Sequence, residues 1–214
     1  MTIRHHLSNQ LLMAYAAGSL PEAFSLVVAT HVSLCDDCRA ELASCEAVGG
    51  ALIEEQGEAT MGAAALDAAL ARLDTLPRAT RPAPLRTAGI FPAPLADYVG
   101  GDLNAVKWRS IGRGIRQAIL PTGRDATVRL LYIPAGMTVP DHGHRGTELT
   151  LVLQGAFADA NAKFARGDLE IADEATEPTP VAIGDVACIC LAATDAPWRF
   201  VGLLPRLVQP FFRI

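Results

Sequence analysis

The residues best equipped for chemistry in this 214-residue chain fall into two sets of potential metal donors, one in its first 40 residues and one between residues 136 and 155. The first is His31-x3-Cys35-x2-Cys38. Zinc takes four soft or borderline donors in a tetrahedron, and thiolates with imidazoles supply them. The Cys-x2-Cys half puts two sulfurs one helical turn apart. His31 sits a turn earlier, at the expected end of the preceding helix. A closed site needs a fourth donor, and His6 is the choice because it lies just ahead of Ser8, where a first helix can lean on the junction of the next two; His5 is the alternative. Two neutral imidazoles and two thiolates leave a Zn²⁺ site without net charge, so burying it costs little. The competing readings are a redox disulfide, for which no thioredoxin-like βαβ pattern is present, and two ordinary buried thiols. Cys45, further along the same helix, reads as core.

The second set is Gly136-x5-His142-x-His144-x3-Glu148-x6-Gly155. On a strand His142 and His144 share one face, and Glu148 can return to it after a turn at Arg145-Gly146. Two imidazoles and a carboxylate suit a divalent metal, with zinc the first expectation and iron or manganese the alternatives. The spacing, both glycines included, is similar to the first cupin motif. Cupins normally add a third histidine after a Gly-Asp segment. Here Gly167-Asp168 is present, the later position holds Pro178, and no histidine follows His144. A further donor must be a carboxylate such as Glu177, a thiol of Cys188 or Cys190, or water. The two thiols of Cys188-Ile189-Cys190 fall on one face of an apolar strand, where they read first as small buried hydrophobes and second as an oxidation sensor.

The elements that must position these sets follow from punctuation and period. Ser8 can cap a helix carrying Leu11, Leu12 and Tyr15 that ends near Gly18. Ser19-Leu20-Pro21-Glu22 offers a capping box for a second, running to about His31. Ser33 is expected to start a third, through Arg39, Leu42 and Leu52, weakened at Gly49-Gly50. Leu66, Leu70 and Leu73 mark the apolar stripe of a fourth. Prolines 77, 82, 84, 92 and 94 with three arginines make 77–94 a semi-extended tether. Beyond it come short strands, among them Val128–Ile133, Glu148–Leu153, Val186–Leu191, Arg199–Val201 and Leu207–Val208, with another opening at Leu169. Their spacing predicts an antiparallel sandwich or barrel. The fold class is therefore multidomain: a small helical zinc-binding bundle over 1–76, a linker over 77–94, and an all-β jelly roll over 95–214.

Composition narrows the function. Half the residues are apolar, ample for folded cores. No apolar run approaches the roughly 20 residues that span a bilayer, and the N-terminus lacks the layout of a signal peptide, so the expected location is the cytoplasm. Residues 1–75 carry three arginines, no lysine and ten acids, a balance of −7, while 76–96 carry +3 and the remainder −1. A first domain this acidic is repelled by phosphate backbones, which argues against direct nucleic-acid binding and for a basic protein partner.

The helical segment with His6, His31, Cys35 and Cys38, the Pro-rich linker and the cupin motif together resemble the ChrR family of anti-sigma factors over nearly the whole chain. The resemblance implies that residues 1–76 bind and occlude an extracytoplasmic-function sigma factor, with Leu66, Leu70 and Leu73 on a fourth helix that helps clamp the partner. It further implies a cupin that senses an oxidative signal, singlet oxygen or an organic hydroperoxide, and relieves the inhibition. A reading from another class is a cupin metalloenzyme, dioxygenase- or isomerase-like, working at His142, His144 and Glu148 with a helical accessory domain. No acid–base partner or substrate-anchoring set stands beside the motif, so no catalytic residue is assigned.

Overall fold

The computed structural model describes residues 2–76, 89–138, 142–143, 146–172, 180–196 and 199–200. Four helices come first: α1 (Asn9–Ala16), α2 (Glu22–Val32), α3 (Asp36–Glu54) and α4 (Ala65–Thr75). The short α5 (Ala93–Val99) and a 3-10 turn (Leu103–Ala105) lead into β1 (Arg109–Gly112), β2 (Ile115–Leu120), β3 (Thr127–Ile133), β4 (His142–Gly143), β5 (Glu148–Gln154), β6 (Ala156–Ala158), β7 (Lys163–Ala165), β8 (Leu169–Ala172), β9 (Val181–Ile183), β10 (Cys188–Thr194) and β11 (Arg199–Phe200). The expected strand Leu207–Val208 and residues 77–88 of the tether lie outside the described residues.

Every strand pairing is antiparallel. A six-stranded sheet, in the order β1-β2-β3-β10-β5-β8, faces a three-stranded sheet, β7-β6-β9, and β11 pairs with β4. Leu131, Ile133, Val152, Cys188, Cys190 and Ala192 pack inward against Phe157, Phe164 and Ala182 of the smaller sheet. This is the two-sheet architecture of a cupin jelly roll.

The large sheet is covered on its other face as well. Leu149, Leu151 and Leu153 of β5, Leu191 and Ala193 of β10, and Val128 and Leu130 of β3 belong to one core with Phe24, Val27 and Val28 of α2 and Leu95 of α5. That explains why β5 reads Glu-Leu-Thr-Leu-Val-Leu, almost continuously apolar rather than alternating, since a strand buried on both faces has no solvent side. Each fully buried leucine there contributes on the order of 1.5–3 kcal/mol, so the helical and β parts stabilise one another through α2.

Local sequence signals are partly redirected by these long-range contacts. Ser8 caps α1 as expected, its hydroxyl accepting from the Leu11 N–H at 3.3 Å. The capping box does not form: Pro21 is the N-cap of α2, and Ser19 instead donates to the Ala14 carbonyl, closing α1. Glu22 reaches across the molecule, accepting from the Tyr98 hydroxyl at 2.9 Å and the Gly123 N–H at 2.9 Å. Ser33 ends α2, donating to Thr30, and the N-cap of α3 is Cys35, whose sulfur accepts from the Cys38 N–H. Helix α3 continues through Gly49-Gly50 to Glu54. At the other end of the tether, packed chain begins by Gly89: the Asp102 carboxylate accepts from the N–H groups of Ile90 and Phe91, and Phe91 is buried. Pro92 and Pro94 then start α5, at positions where a missing N–H costs nothing. The strand placed at Val186 begins two residues later, with Val186 itself exposed.

Candidate metal centre

Three elements bring the first donor set together. Residues 2–7 run as an extended arm ahead of α1 and carry His6; the last turn of α2 carries His31; Cys35 caps α3 and Cys38 lies in its first turn. The helical period puts the two sulfurs on the same end of α3, and the tight α2–α3 turn, where the Cys35 N–H donates to the His31 carbonyl at 2.9 Å, sets His31 beside them. His6 Nδ1 lies 3.3 Å from Cys35 Sγ and 3.6 Å from Cys38 Sγ, and His31 Nε2 lies 3.3 Å from Cys38 Sγ. All four donor atoms fall within 4.8 Å of one another. A tetrahedral ion with bonds of about 2.0–2.3 Å sets its donors roughly 3.3–3.8 Å apart, so these residues fit a metal ion, and the donor set is compatible with zinc. His5, the alternative fourth donor, turns away, its ring lying 4.3 Å from that of Phe164.

The electrostatics favour ligands over ions. Burial lowers the pKa of His31 to about 4; the Gly167 carbonyl and Asp168 pull upward and His6 pushes further down. The imidazole is therefore neutral at physiological pH, as a ligand must be. Burial also pushes the Cys38 thiol up to about 11, with Cys35 and Asp37 adding to the rise and the Leu7 N–H opposing it. A metal must displace that proton, and in return it removes the like-charge cost of two adjacent sulfurs.

The second donor set is split. Glu148 sits on the inner face of β5, buried, and accepts from the Thr150 hydroxyl at 3.2 Å. His144 and Glu177 lie outside the described residues, and of His142 the structure describes the backbone, paired with Phe200. The register draws a polar row across the same inner face, from Arg129 on β3 past Ala192 to Thr150 and Glu170. Burial lowers the pKa of Arg129, and the neighbouring charge of Glu148 opposes that fall. Cys188 and Cys190 are buried with their sulfurs 3.5 Å apart. The Cys190 thiol is raised well above its ordinary value, first by hydrogen bonding to Cys188 and then by burial.

Comparison with known proteins gives this pairing of a His/Cys cluster and a jelly roll its place. Residues 97–196 match the family described as the ChrR cupin-like domain. The anti-sigma-E factor ChrR of Cereibacter sphaeroides is 61% identical, over the full length of both chains. The chain belongs to the ChrR family. A crystal structure of Rhodobacter sphaeroides SigE in complex with the anti-sigma ChrR superposes with a TM-score of 0.81 at 57% identity, covering 91% of this chain and all of that one. The likeness to ChrR thus runs through the helical third as well as the barrel.

The leucine stripe of α4, expected from the resemblance to face a partner, lies open in the structure. Leu66, Leu70 and Leu73 of α4 have no partner surface among the described residues: they are 68, 50 and 63% exposed, and Leu76 and Met61 beside them are as bare. An amphipathic stripe predicts a buried face, not what buries it. Among the described residues no helix is long and apolar enough to cross a membrane. What sequence reasoning missed was the role of Asp168, a buried carboxylate that accepts from the N–H groups of Arg4 at 2.7 Å, His5 at 3.1 Å and Ala165 at 2.8 Å. Its signal in sequence was the Gly167-Asp168 pair itself.

Proposed function

We propose that this protein is a cytoplasmic anti-sigma factor that binds and inhibits an extracytoplasmic-function sigma factor and releases it in response to an oxidative signal. The observation that carries the reading is the 61% identity to an anti-sigma-E factor over the full length of both chains. Zinc at His6, His31, Cys35 and Cys38 ties the arm, α2 and α3 into a unit, and α4 presents Leu66, Leu70 and Leu73 to the partner. Support for α4 as the clamp comes from its chemistry: an exposed apolar stripe on a strongly acidic segment suits a basic protein with apolar pockets.

The barrel is the sensor. His142, His144 and Glu148, with Glu177 as a further candidate, would hold a second divalent metal, zinc or else iron or manganese; the inward, buried position of Glu148 supports this. A bound metal there would supply a Lewis-acidic, ligand-accepting centre. Singlet oxygen or an organic hydroperoxide is the expected class of signal. Whatever the event, it shifts the complex only to the extent that it binds or modifies the free and sigma-bound states differently. The metalloenzyme reading loses ground because the family likeness includes the helical third, which a cupin enzyme does not need.

The test is retention of a partner by the full-length protein from a lysate of its own organism, identified by mass spectrometry. Near-stoichiometric recovery of a sigma factor, lost after treatment with singlet oxygen or an organic hydroperoxide, is expected. A folded, metal-loaded protein that retains none would overturn the proposal.

A further inference from the structure

We propose that the Gly167–Asp168 turn of the barrel is the outer shell of the N-terminal metal centre, positioning both of its histidine ligands. The inference rests on the zinc reading above and assigns the barrel a part in that site.

Three contacts converge on this turn. Asp168 Oδ1 accepts from the N–H groups of both Arg4 and His5, and the Leu169 N–H donates to the His5 carbonyl at 3.2 Å, so the turn grips the arm at the residues just before His6. The carboxylate is buried, and its other oxygen is committed to Ala165 within the turn. Gly167 lies under Ile3: a Cβ at that position would stand 2.6 Å from Ile3 Cδ1, and the backbone there has φ +89°, which a glycine adopts without strain. A side chain at residue 167 would therefore force the Ile3 side chain to shift and would strain the turn that holds the arm.

The third contact concerns the other histidine. His31 is fully buried and offers Nε2 to the metal cluster, 3.3 Å from Cys38 Sγ. A metal on Nε2 leaves the proton on Nδ1. That nitrogen is buried with no hydrogen-bond partner among the described residues, and the Gly167 carbonyl is the backbone group that acts on this imidazole, opposing the fall that burial imposes on its pKa. A ligating imidazole that gives its second N–H to a backbone carbonyl is the usual way such a ring is oriented, and losing the acceptor or the orienting partner costs about ten- to a hundredfold in metal affinity.

The turn also opens β8, whose far end, Ala172, pairs with Glu148. Four residues of strand, about 10 Å, thus join the inner face of the barrel to the support of the metal centre. By linkage, a displacement of β8 that loosens the turn weakens metal binding, and loss of the metal loosens the turn equally.

The experiment uses the full-length protein with Zn²⁺ in competition with a chromophoric chelator, and Co²⁺ as a spectroscopic substitute. Asp168→Asn weakens the grip from the barrel side and Arg4→Pro removes one donor from the arm side, leaving the barrel untouched. Asp102→Asn is the control, since Asp102 anchors backbone N–H groups away from the metal. Both test variants should bind zinc at least tenfold more weakly and show altered cobalt ligand-field bands, while the control matches the wild type. Wild-type affinity and spectra in Arg4→Pro and Asp168→Asn, or an equal loss in Asp102→Asn, would overturn the proposal. If Asp168→Asn does not fold, Arg4→Pro decides. If wild-type protein shows no thiolate–cobalt band that disappears in Cys38→Ser, the zinc reading itself fails, and the two failures are told apart.

Discussion

Helices α2 and α4 are the same length, eleven residues, and meet opposite fates. The apolar residues of α2, Phe24, Leu26, Val27 and Val28, are buried between the barrel and α5, whereas the leucines of α4 stand in solvent. Their sequences differ in a way that foretells this. Between Glu22 and His31, both at its ends, α2 carries no charged residue, and a helix apolar all round must be enclosed. Helix α4 interleaves its leucines with Asp67, Arg72 and Asp74, so it can be solvated when alone and still offer one face when a partner arrives. The inner helix ties the two halves together; the outer one keeps its apolar face in solvent.

The sharpest way to break the contrast is to remove the metal. Cys38→Ser should abolish zinc at the first site and unfasten α3, and with it the end of α2 that carries His31, because structural zinc contributes on the order of 10 kcal/mol to small domains of this kind. Metal content by emission spectrometry and helicity by circular dichroism check this, and full helicity in a zinc-free variant would refute it. Helix α4 donates nothing to the cluster, so peptide segments from α4 should show unchanged hydrogen exchange while those from α2 and α3 lose protection.

Next in size is the core that α2 shares with the sheet. Phe24→Ala should cost about 3–5 kcal/mol, the usual penalty for an aromatic removed from a closed core. The loss should appear in one cooperative transition that includes the barrel, since Phe24 packs in the same cluster as Leu149 and Leu191. Separate transitions for helical and β signals in denaturant would show that α2 does not couple the halves.

Acidity gives a smaller, graded effect with a defined sign. With its pKa lowered to about 4, His31 is already neutral at physiological pH and releases no proton on binding zinc. The Cys38 thiol, at about 11, is protonated there and must release one. Apparent zinc affinity should therefore rise with pH, by about tenfold per unit from this thiol alone, and keep rising past pH 8. Calorimetry in buffers of different ionisation enthalpy counts the protons; a plateau beginning near pH 6.5 would mean that a histidine, and not the thiol, holds the competing proton.

Much of the metal centre and of the large sheet is legible in the sequence. Cys35 and Cys38 share one end of a helix whatever the tertiary fold, and His31 sits a tight turn away, so three donors follow from spacing alone. The runs at Val128–Ile133 and Glu148–Leu153 fall within a residue of β3 and β5. Local reasoning cannot assign groups with distant partners. Ser19 and Glu22 have the spacing of a capping box, yet the serine closes the helix before it and the glutamate serves Tyr98, 76 residues on. His6 can be chosen over His5 only by proximity, because an extended arm has no helical period and its course is set by Asp168, 163 residues beyond His5. Pro92 and Pro94, read as part of a tether, instead initiate α5, since proline ends one kind of structure and begins another at the same positions.

The smallest effect on stability, and the one that completes the comparison, belongs to α4. Leu70→Ala removes a side chain that touches little within the molecule, so its cost in urea should stay within about 0.5 kcal/mol, against the several kcal/mol expected for Phe24→Ala. If α4 is the clamp, the same substitution should weaken sigma binding by about 1 kcal/mol or more, at least fivefold, because a leucine left exposed in the free protein contributes its burial only on association. Leu66→Ala and Leu73→Ala, at 68 and 63% exposure, should behave alike, while Phe24→Ala, corrected for its lost stability, should leave the affinity of the folded fraction unchanged. Titration calorimetry against the purified sigma factor separates the two helices. A stable Leu66→Ala/Leu70→Ala/Leu73→Ala variant with wild-type affinity would assign the clamp elsewhere and leave α4 an amphipathic helix without a partner.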